Sequence, residues 1–194
     1  MQFRLPLLSP SPDGWIRSVL NNFDYFLQDH ADCERKASAF ALSMVAKYPN
    51  RTEIIPTLID TALEELEHFR DVYRILESKG LQLLHEIKED LYVKQLLNLC
   101  KKGRDEHFLD RLLLGSVIEN RGAERFRIIY ENLPSGDLKK FYHNLWANEA
   151  KHGEVFVRLA LIYFPENQVY ERYRFFVEQE KNIMLTMPFT GRLH

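Results

Sequence analysis

The chain of 194 residues holds only two cysteines, Cys33 and Cys100, with 8 glycines and 8 prolines. Two thiols so far apart exclude a disulfide framework or a thiolate metal site, and they suit a reducing cytosol. No stretch approaches the ~20 uninterrupted apolar residues of a membrane span. Met1 to Pro12 also lacks the basic start and apolar run of a secretory leader. The expectation is a cytoplasmic protein, unprocessed and with no membrane contact. Charge of one sign is missing too. The 26 Lys and Arg against 28 Asp and Glu leave a net charge of -2, so no global positive field advertises nucleic acid. Alternating β patterns and Gly/Ser linkers are absent. With 45% hydrophobic residues, residues 1–194 read as one domain with a sizeable core.

What remains is long helical periodicity. A short helix begins near Asp13, and a long one runs from about Asn22 to Tyr48, stopped by Pro49. The next starts near Thr52, as N-cap, carries Pro56 early and reaches Lys79, with Gly80 past its end. A shorter helix covers roughly Asp90 to Lys101, and a long one Asp105 to Asn132. Ser135 is placed to cap another that extends to Phe164, and the last spans about Glu166 to Met187. Four helices of about 25 to 30 residues far exceed the usual ~11–12. Joined by short connections, they predict an all-α bundle, with the shorter helix as part of a crossover.

Acids belong on the wet face of a helix, so those on an apolar stripe are informative. Glu34 lies amid Phe23, Leu27, His30, Ala37, Ala41 and Val45. Glu65 and His68 lie amid Leu58, Ala62, Val72 and Leu76. Glu119 falls between Leu112, Ser116, Ala123 and Phe126, while Glu149 and His152 follow Tyr142 and Leu145 and precede Phe156. Glu65 and His68 are three apart, as are Glu149 and His152. Three residues rise about 4.5 Å and turn about 300°, so both side chains reach one ion. Glu34 precedes Glu65 by 31 positions, and Glu119 precedes Glu149 by 30. That span is one helix, a turn and half of an antiparallel partner, which brings the chain back to the same level.

Two halves, each a lone Glu followed by Glu-x-x-His, supply six ligands for two ions. Four carboxylates balance two divalent cations, and the imidazoles complete an O/N environment that iron or manganese favours. Without metal, so many buried carboxylates would repel or take up protons. This ligand set is that of ferritin-like di-iron and di-manganese bundles, so the fold expected is a ferritin-like four-helix bundle with additional short and C-terminal helices. His30, one turn before Glu34, is either a group supporting a ligand or a satisfied core histidine. Glu64 and Asn148, directly before the two Glu-x-x-His pairs, are candidates to hydrogen-bond ligand histidines, against simple exposure. His85, His107, His143 and His194 read as surface or loop residues, and Trp15, Trp146 and Tyr170 to Phe176 as packing.

Several segments resemble the bacterial tRNA hydroxylases that act on 2-methylthio-isopentenyl-adenosine. They are DHADCERKASAFALSMVAKYP (Asp29 to Pro49), LEELEHF (Leu63 to Phe69), RLLLGSVIENRGAERF (Arg111 to Phe126) and FYHNLWANEAKH (Phe141 to His152). The resemblance runs in register from about Trp15 to Leu161. It implies a non-haem di-iron monooxygenase that hydroxylates the isopentenyl group on the adenosine beside the anticodon, using dioxygen and two electrons. Glu34, Glu65, His68, Glu119, Glu149 and His152 would then hold two iron ions. The implied partners are a tRNA carrying a prenylated adenosine and an electron-donor reductase. The family usually carries Glu-Ala-Arg-Ser-Cys-Glu-Arg-Phe where this chain has Glu119-Asn120-Arg121-Gly122-Ala123-Glu124-Arg125-Phe126. Two small inward residues have lost a hydroxyl and a thiol, which alters pocket shape.

The metal site by itself does not choose a function. A ferroxidase or iron-storage protein uses nearly the same ligand spacing, a manganese catalase-like enzyme is a third reading, and a non-enzymatic helical interaction module a fourth. Gly115, Ser116, Gly122 and Ala123 suit either room for a prenyl tail or close helix packing. Candidate RNA-facing cations are Lys101, Lys102 and Arg104 in a loop, with Arg121, Arg125 and Arg127 near the site helix, each set also readable as a solvated face.

Overall fold

A computed structural model describes residues 6–86 and 89–194. Among these residues there are seven α-helices and no strand: α1 (Asp13–Asn21), α2 (Phe23–Lys47), α3 (Ile55–Ser78), α4 (Leu91–Leu97), α5 (Arg104–Asn132), α6 (Asp137–Tyr163) and α7 (Glu166–Thr186). The all-α expectation holds. The helices fall into two compact units, Gly14–Lys88 with Phe189–Leu193, and Met1–Asp13 with Glu89–Pro188 and His194.

In the first unit α2 and α3 form an antiparallel hairpin. Lys79 pairs with Asp24 at 3.1 Å, and the Ser38 hydroxyl donates to the Ala62 carbonyl at 2.7 Å. One partner's number falls as the other's rises. Phe26, Leu27, Ala31, Ala41 and Met44 of α2, and Leu58, Ala62, Val72 and Leu76 of α3, are buried. Thr52 is not the N-cap of α3. It lies in a 3-10 turn, Thr52–Ile54, and α3 begins afterwards with Pro56 in its first turn, where a missing N–H costs nothing. Gly80 does end α3. At φ 68° it lets its own N–H reach the Glu77 carbonyl at 3.0 Å and that of Leu81 reach Leu76 at 2.9 Å, a Schellman closure. The returning C-terminal tail is tied to α1 and α2. Trp15 donates its indole N–H to the Arg192 carbonyl at 2.9 Å, while Asp29 accepts from the Arg192 guanidinium and, at 2.8 Å, from the Leu193 N–H.

In the second unit α5 and α6 are likewise antiparallel, with Phe108 against Tyr163 and Phe126 against Tyr142. Ser135 does not cap α6. The N-cap is Gly136 at φ 149°, a backbone setting that disfavours a side chain, and no side-chain oxygen caps the helix. The short α4 starts where expected, with the Asp90 carboxylate accepting from the Val93 N–H at 3.0 Å, but ends at Leu97 instead of Lys101. The reason lies just beyond. Asp110 takes the Lys101 N–H at 2.7 Å and Arg172 takes the Leu99 carbonyl at 2.8 Å, so this backbone bonds to α5 and α7 instead of continuing a helix.

Candidate metal centre

In the first unit, Glu34 on α2 and Glu65 and His68 on α3 each bring one ligand atom within 4.8 Å of the others. His68 Nδ1 stands 3.5 Å from Glu65 Oε2 and 3.8 Å from Glu34 Oε2. Glu34 and Glu65 are only 4% and 1% exposed, and no thermal fluctuation of a surface chain accounts for such placement. The Ser38–Ala62 bond lies one turn further along and sets the register of the two helices. His30 is fully buried, and its Nε2 meets Glu34 Oε1 at 2.5 Å. The two oxygens of Glu34 are thereby divided, one toward His30 and one toward His68. His30 stacks on Phe26. It is both of the things its position allowed, a satisfied core histidine and the group that aims a candidate ligand.

The second unit repeats the pattern. Glu119 on α5 and Glu149 and His152 on α6 lie with one ligand atom each within 4.8 Å of one another, and His152 Nδ1 is 3.0 Å from Glu149 Oε2. Glu149 and His152 are buried, while Glu119 is half-buried. Close helix approach fixes this level. The Ser116 hydroxyl donates to the Gly153 carbonyl at 2.5 Å, and a Cβ at Gly153 would overlap the Asn120 amide. The Asn120 amide donates to the Tyr173 hydroxyl at 2.9 Å. Burial pushes the Tyr173 phenol above its ordinary pKa, against the opposing hydrogen bonds with Ser116 and Asn120. Each triad thus offers two carboxylates and an imidazole from a pair of adjacent helices. Hard oxygen donors with a borderline nitrogen fit iron or manganese, and the desolvated charge calls for a cation.

A family model described as tRNA-(MS[2]IO[6]A)-hydroxylase (MiaE) matches residues 3–194. The chain belongs to this family. It is 34% identical over 160 residues to a tRNA 2-(methylsulfanyl)-N(6)-isopentenyladenosine(37) hydroxylase of Pseudomonas putida, spanning 82% of this chain and 77% of the relative. A protein of the same name from Salmonella typhimurium is 25% identical, spanning 95% of this chain and 86% of the relative. Among solved structures, "Protein 43 with aldehyde deformylating oxygenase activity from Synechococcus" superposes with a TM-score of 0.90 at 30% identity, covering 97% of this chain and 94% of that one. The fold is therefore ferritin-like. No helix among the described residues is long and apolar enough to cross a membrane.

For a member of this family, Glu64 and Asn148 are exposed, which is the alternative the sequence left open for them, while two of the cations sit differently from the sequence reading. Of the candidate RNA-facing cations, Arg121 and Arg125 are 0% and 5% exposed, so solvent cannot reach their charges. Arg121 makes two bonds to Glu180 on α7, at 2.8 and 3.0 Å, and others to Glu124, Ser11 and the Ser9 carbonyl. Burial works against the Arg121 charge, but Glu180 more than offsets it and holds the guanidinium above its ordinary pKa. Arg125 donates to the Ser11 hydroxyl at 3.1 Å, and burial lowers it to about 10. The Tyr92 hydroxyl donates to Glu180 at 3.1 Å, and burial with that carboxylate raises it well above the usual phenol range. Lys102, Arg104 and Arg127 remain exposed, as does Lys101, paired with Glu106. His194 lies in non-helical chain, as read, and its ring stacks on Tyr92 at 5.2 Å.

The buried Glu180 went unnoticed in the sequence. Its signal was there, since it follows Val169, Tyr173, Phe176 and Val177 on the apolar stripe of α7. Gly122 and Ala123 are buried as expected. A Cβ at Gly122 would meet only the Phe126 ring, at 4.0 Å, which leaves space beside this glycine.

Proposed function

We propose that the chain is a di-iron, dioxygen-dependent monooxygenase that hydroxylates the isopentenyl group of a 2-methylthio-isopentenyl-adenosine beside a tRNA anticodon. The observation that carries this is the duplicated triad of Glu34, Glu65 and His68 with Glu119, Glu149 and His152 in a chain of the MiaE family. These six residues would hold two iron ions. When bound, the irons supply dioxygen activation, which inserts one oxygen atom into a C–H bond and reduces the other to water with two electrons from a reductase.

The protein's own task is positioning and exclusion of water. Glu34 is oriented by His30, and the Ser116–Gly153 contact holds α5 and α6 close at the level of Glu119 and His152. Space beside Gly122 and Phe126 suits an apolar prenyl tail. Storage of iron needs the same ligands but no tRNA, and both named relatives are tRNA hydroxylases, which supports the enzyme reading over the ferroxidase.

The test is expression in a strain lacking its own hydroxylase, with tRNA nucleosides analysed by mass spectrometry. One oxygen gained on the prenylated adenosine, and lost with Glu119→Ala, is the expected result. Unchanged nucleosides with fully iron-loaded protein and a competent reductant would overturn the proposal.

A further inference from the structure

Beyond the triads, α5 and α6 carry an aromatic group that the fold does not bury. Tyr130 near the end of α5 stacks on Trp146 of α6, centroids 6.1 Å apart at 20°. His143 stands edge-on to both, at 4.9 Å from Tyr130 and 6.0 Å from Trp146. The neighbouring Phe126–Tyr142 pair is 2% and 0% exposed and serves the core. By contrast His143 is exposed, and Tyr130 and Trp146 are half-exposed. Packing therefore leaves part of this aromatic surface to water.

One cation lies on the rings, and two more follow or precede them closely in sequence. Lys139 Nζ lies 5.1 Å over the Tyr130 ring and donates to the Leu133 carbonyl at 3.0 Å, a placement that fixes one positive charge beside the rings. Lys140 is 81% exposed and Arg127 46%. Their acidic neighbours, Asp137 and Glu131, stand 3.8 and 3.9 Å away and are themselves largely exposed, so these pairs are weak and easily exchanged for phosphate. Half-exposed rings with cations alongside are the elements that hold an unstacked base and its flanking phosphates. An apolar protein partner would gain little from the ammonium groups. The site is also well placed, because Trp146 precedes the triad residue Glu149 by three positions, about 4.5 Å of helix rise.

We infer that Tyr130, His143 and Trp146 form a stacking platform for an unpaired RNA base, with Lys139, Lys140 and Arg127 holding the adjoining phosphates. This rests on the tRNA reading above and names the surface that would meet the loop.

The probe is a short RNA stem-loop carrying a prenylated adenosine in its loop, with a loopless duplex of the same stem as control, added to iron-loaded protein. Trp15→Phe leaves Trp146 as the reporter. Its emission should be quenched by the stem-loop and not by the duplex. Trp146→Leu should weaken stem-loop binding about tenfold to a hundredfold, Trp146→Phe much less, and His143→Ala, at an exposed site that tolerates truncation, measurably. Unquenched emission, or stem-loop affinity within about twofold of wild type in both Trp146→Leu and His143→Ala, would overturn the platform. It would leave the hydroxylase standing if tRNA nucleosides still gain oxygen. Equal loss for stem-loop and duplex would also overturn it, because stacking cannot act on a paired stem. Absence of RNA binding by wild-type protein together with unmodified nucleosides would overturn both readings.

Discussion

Removing one half of the Arg121–Glu180 pair separates architecture from RNA contact. Both side chains are 0% exposed, and the guanidinium meets the carboxylate at 2.8 Å and 3.0 Å. Arg121→Met leaves a buried carboxylate whose remaining donor among the described residues is the Tyr92 hydroxyl at 3.1 Å. Breaking a buried pair in this way costs about 3–5 kcal/mol. At roughly 2–4 °C per kcal/mol for a chain of this size, Tm should fall by about 6–20 °C. Arg121→Met combined with Glu180→Leu removes both charges and should recover most of that loss. Metal-free protein is the right sample, since bound metal adds stability by mass action. The salt dependence of RNA binding should stay unchanged in the folded variant, because a buried guanidinium displaces no phosphate counterion. A single replacement that shifts stability by less than about 0.5 kcal/mol, or one that flattens the salt slope, would refute this reasoning.

His30→Leu keeps an apolar side chain beside Phe26 but removes the hydrogen bond that orients Glu34; iron affinity, measured by anaerobic titration, should fall about tenfold to a hundredfold with the helical circular dichroism retained. Gly122→Ala has room for its methyl group and replaces a mid-helix glycine, so denaturant unfolding should show a gain of about 0.5–1 kcal/mol. Burial and the nearby Asp110 raise the Cys100 thiol from 9.0 to about 11. Its neutral form is thus favoured in the fold, a contribution fully present below pH 9 and lost as pH rises through 11. At pH 8.5 the thiolate is roughly 75-fold scarcer than in unfolded chain, and alkylation followed by mass spectrometry should be slower to a similar degree.

The six candidate ligands were legible because an acid on an apolar stripe is a local contradiction that periodicity exposes. The same logic applies to Glu180, whose stripe is equally apolar, yet its partner is Arg121 and not a metal. Spacing reveals an inward charge, but only the three-dimensional neighbour says what neutralises it. Arg121 and Arg125 looked like surface cations because a guanidinium is ordinarily exposed, and their burial depends on Glu180, Glu124 and Ser11, which are distant or unremarkable in sequence. Helix ends followed the same division. Gly80 was readable from its own conformational freedom, whereas the stop after Leu97 depends on Asp110 and Arg172 reaching back from later helices. Trp146 read as packing, and its half-exposure is decided by how α5 and α6 lie together.

Anaerobic titration of metal-free protein with ferrous iron, followed by elemental analysis and Mössbauer spectroscopy, tests the role of the duplicated triads most directly. The account predicts saturation at two irons per chain, with spectra of a coupled pair, and weaker uptake when Glu65 or Glu149 is replaced by alanine. No stoichiometric uptake, or uptake indifferent to both replacements, would contradict it.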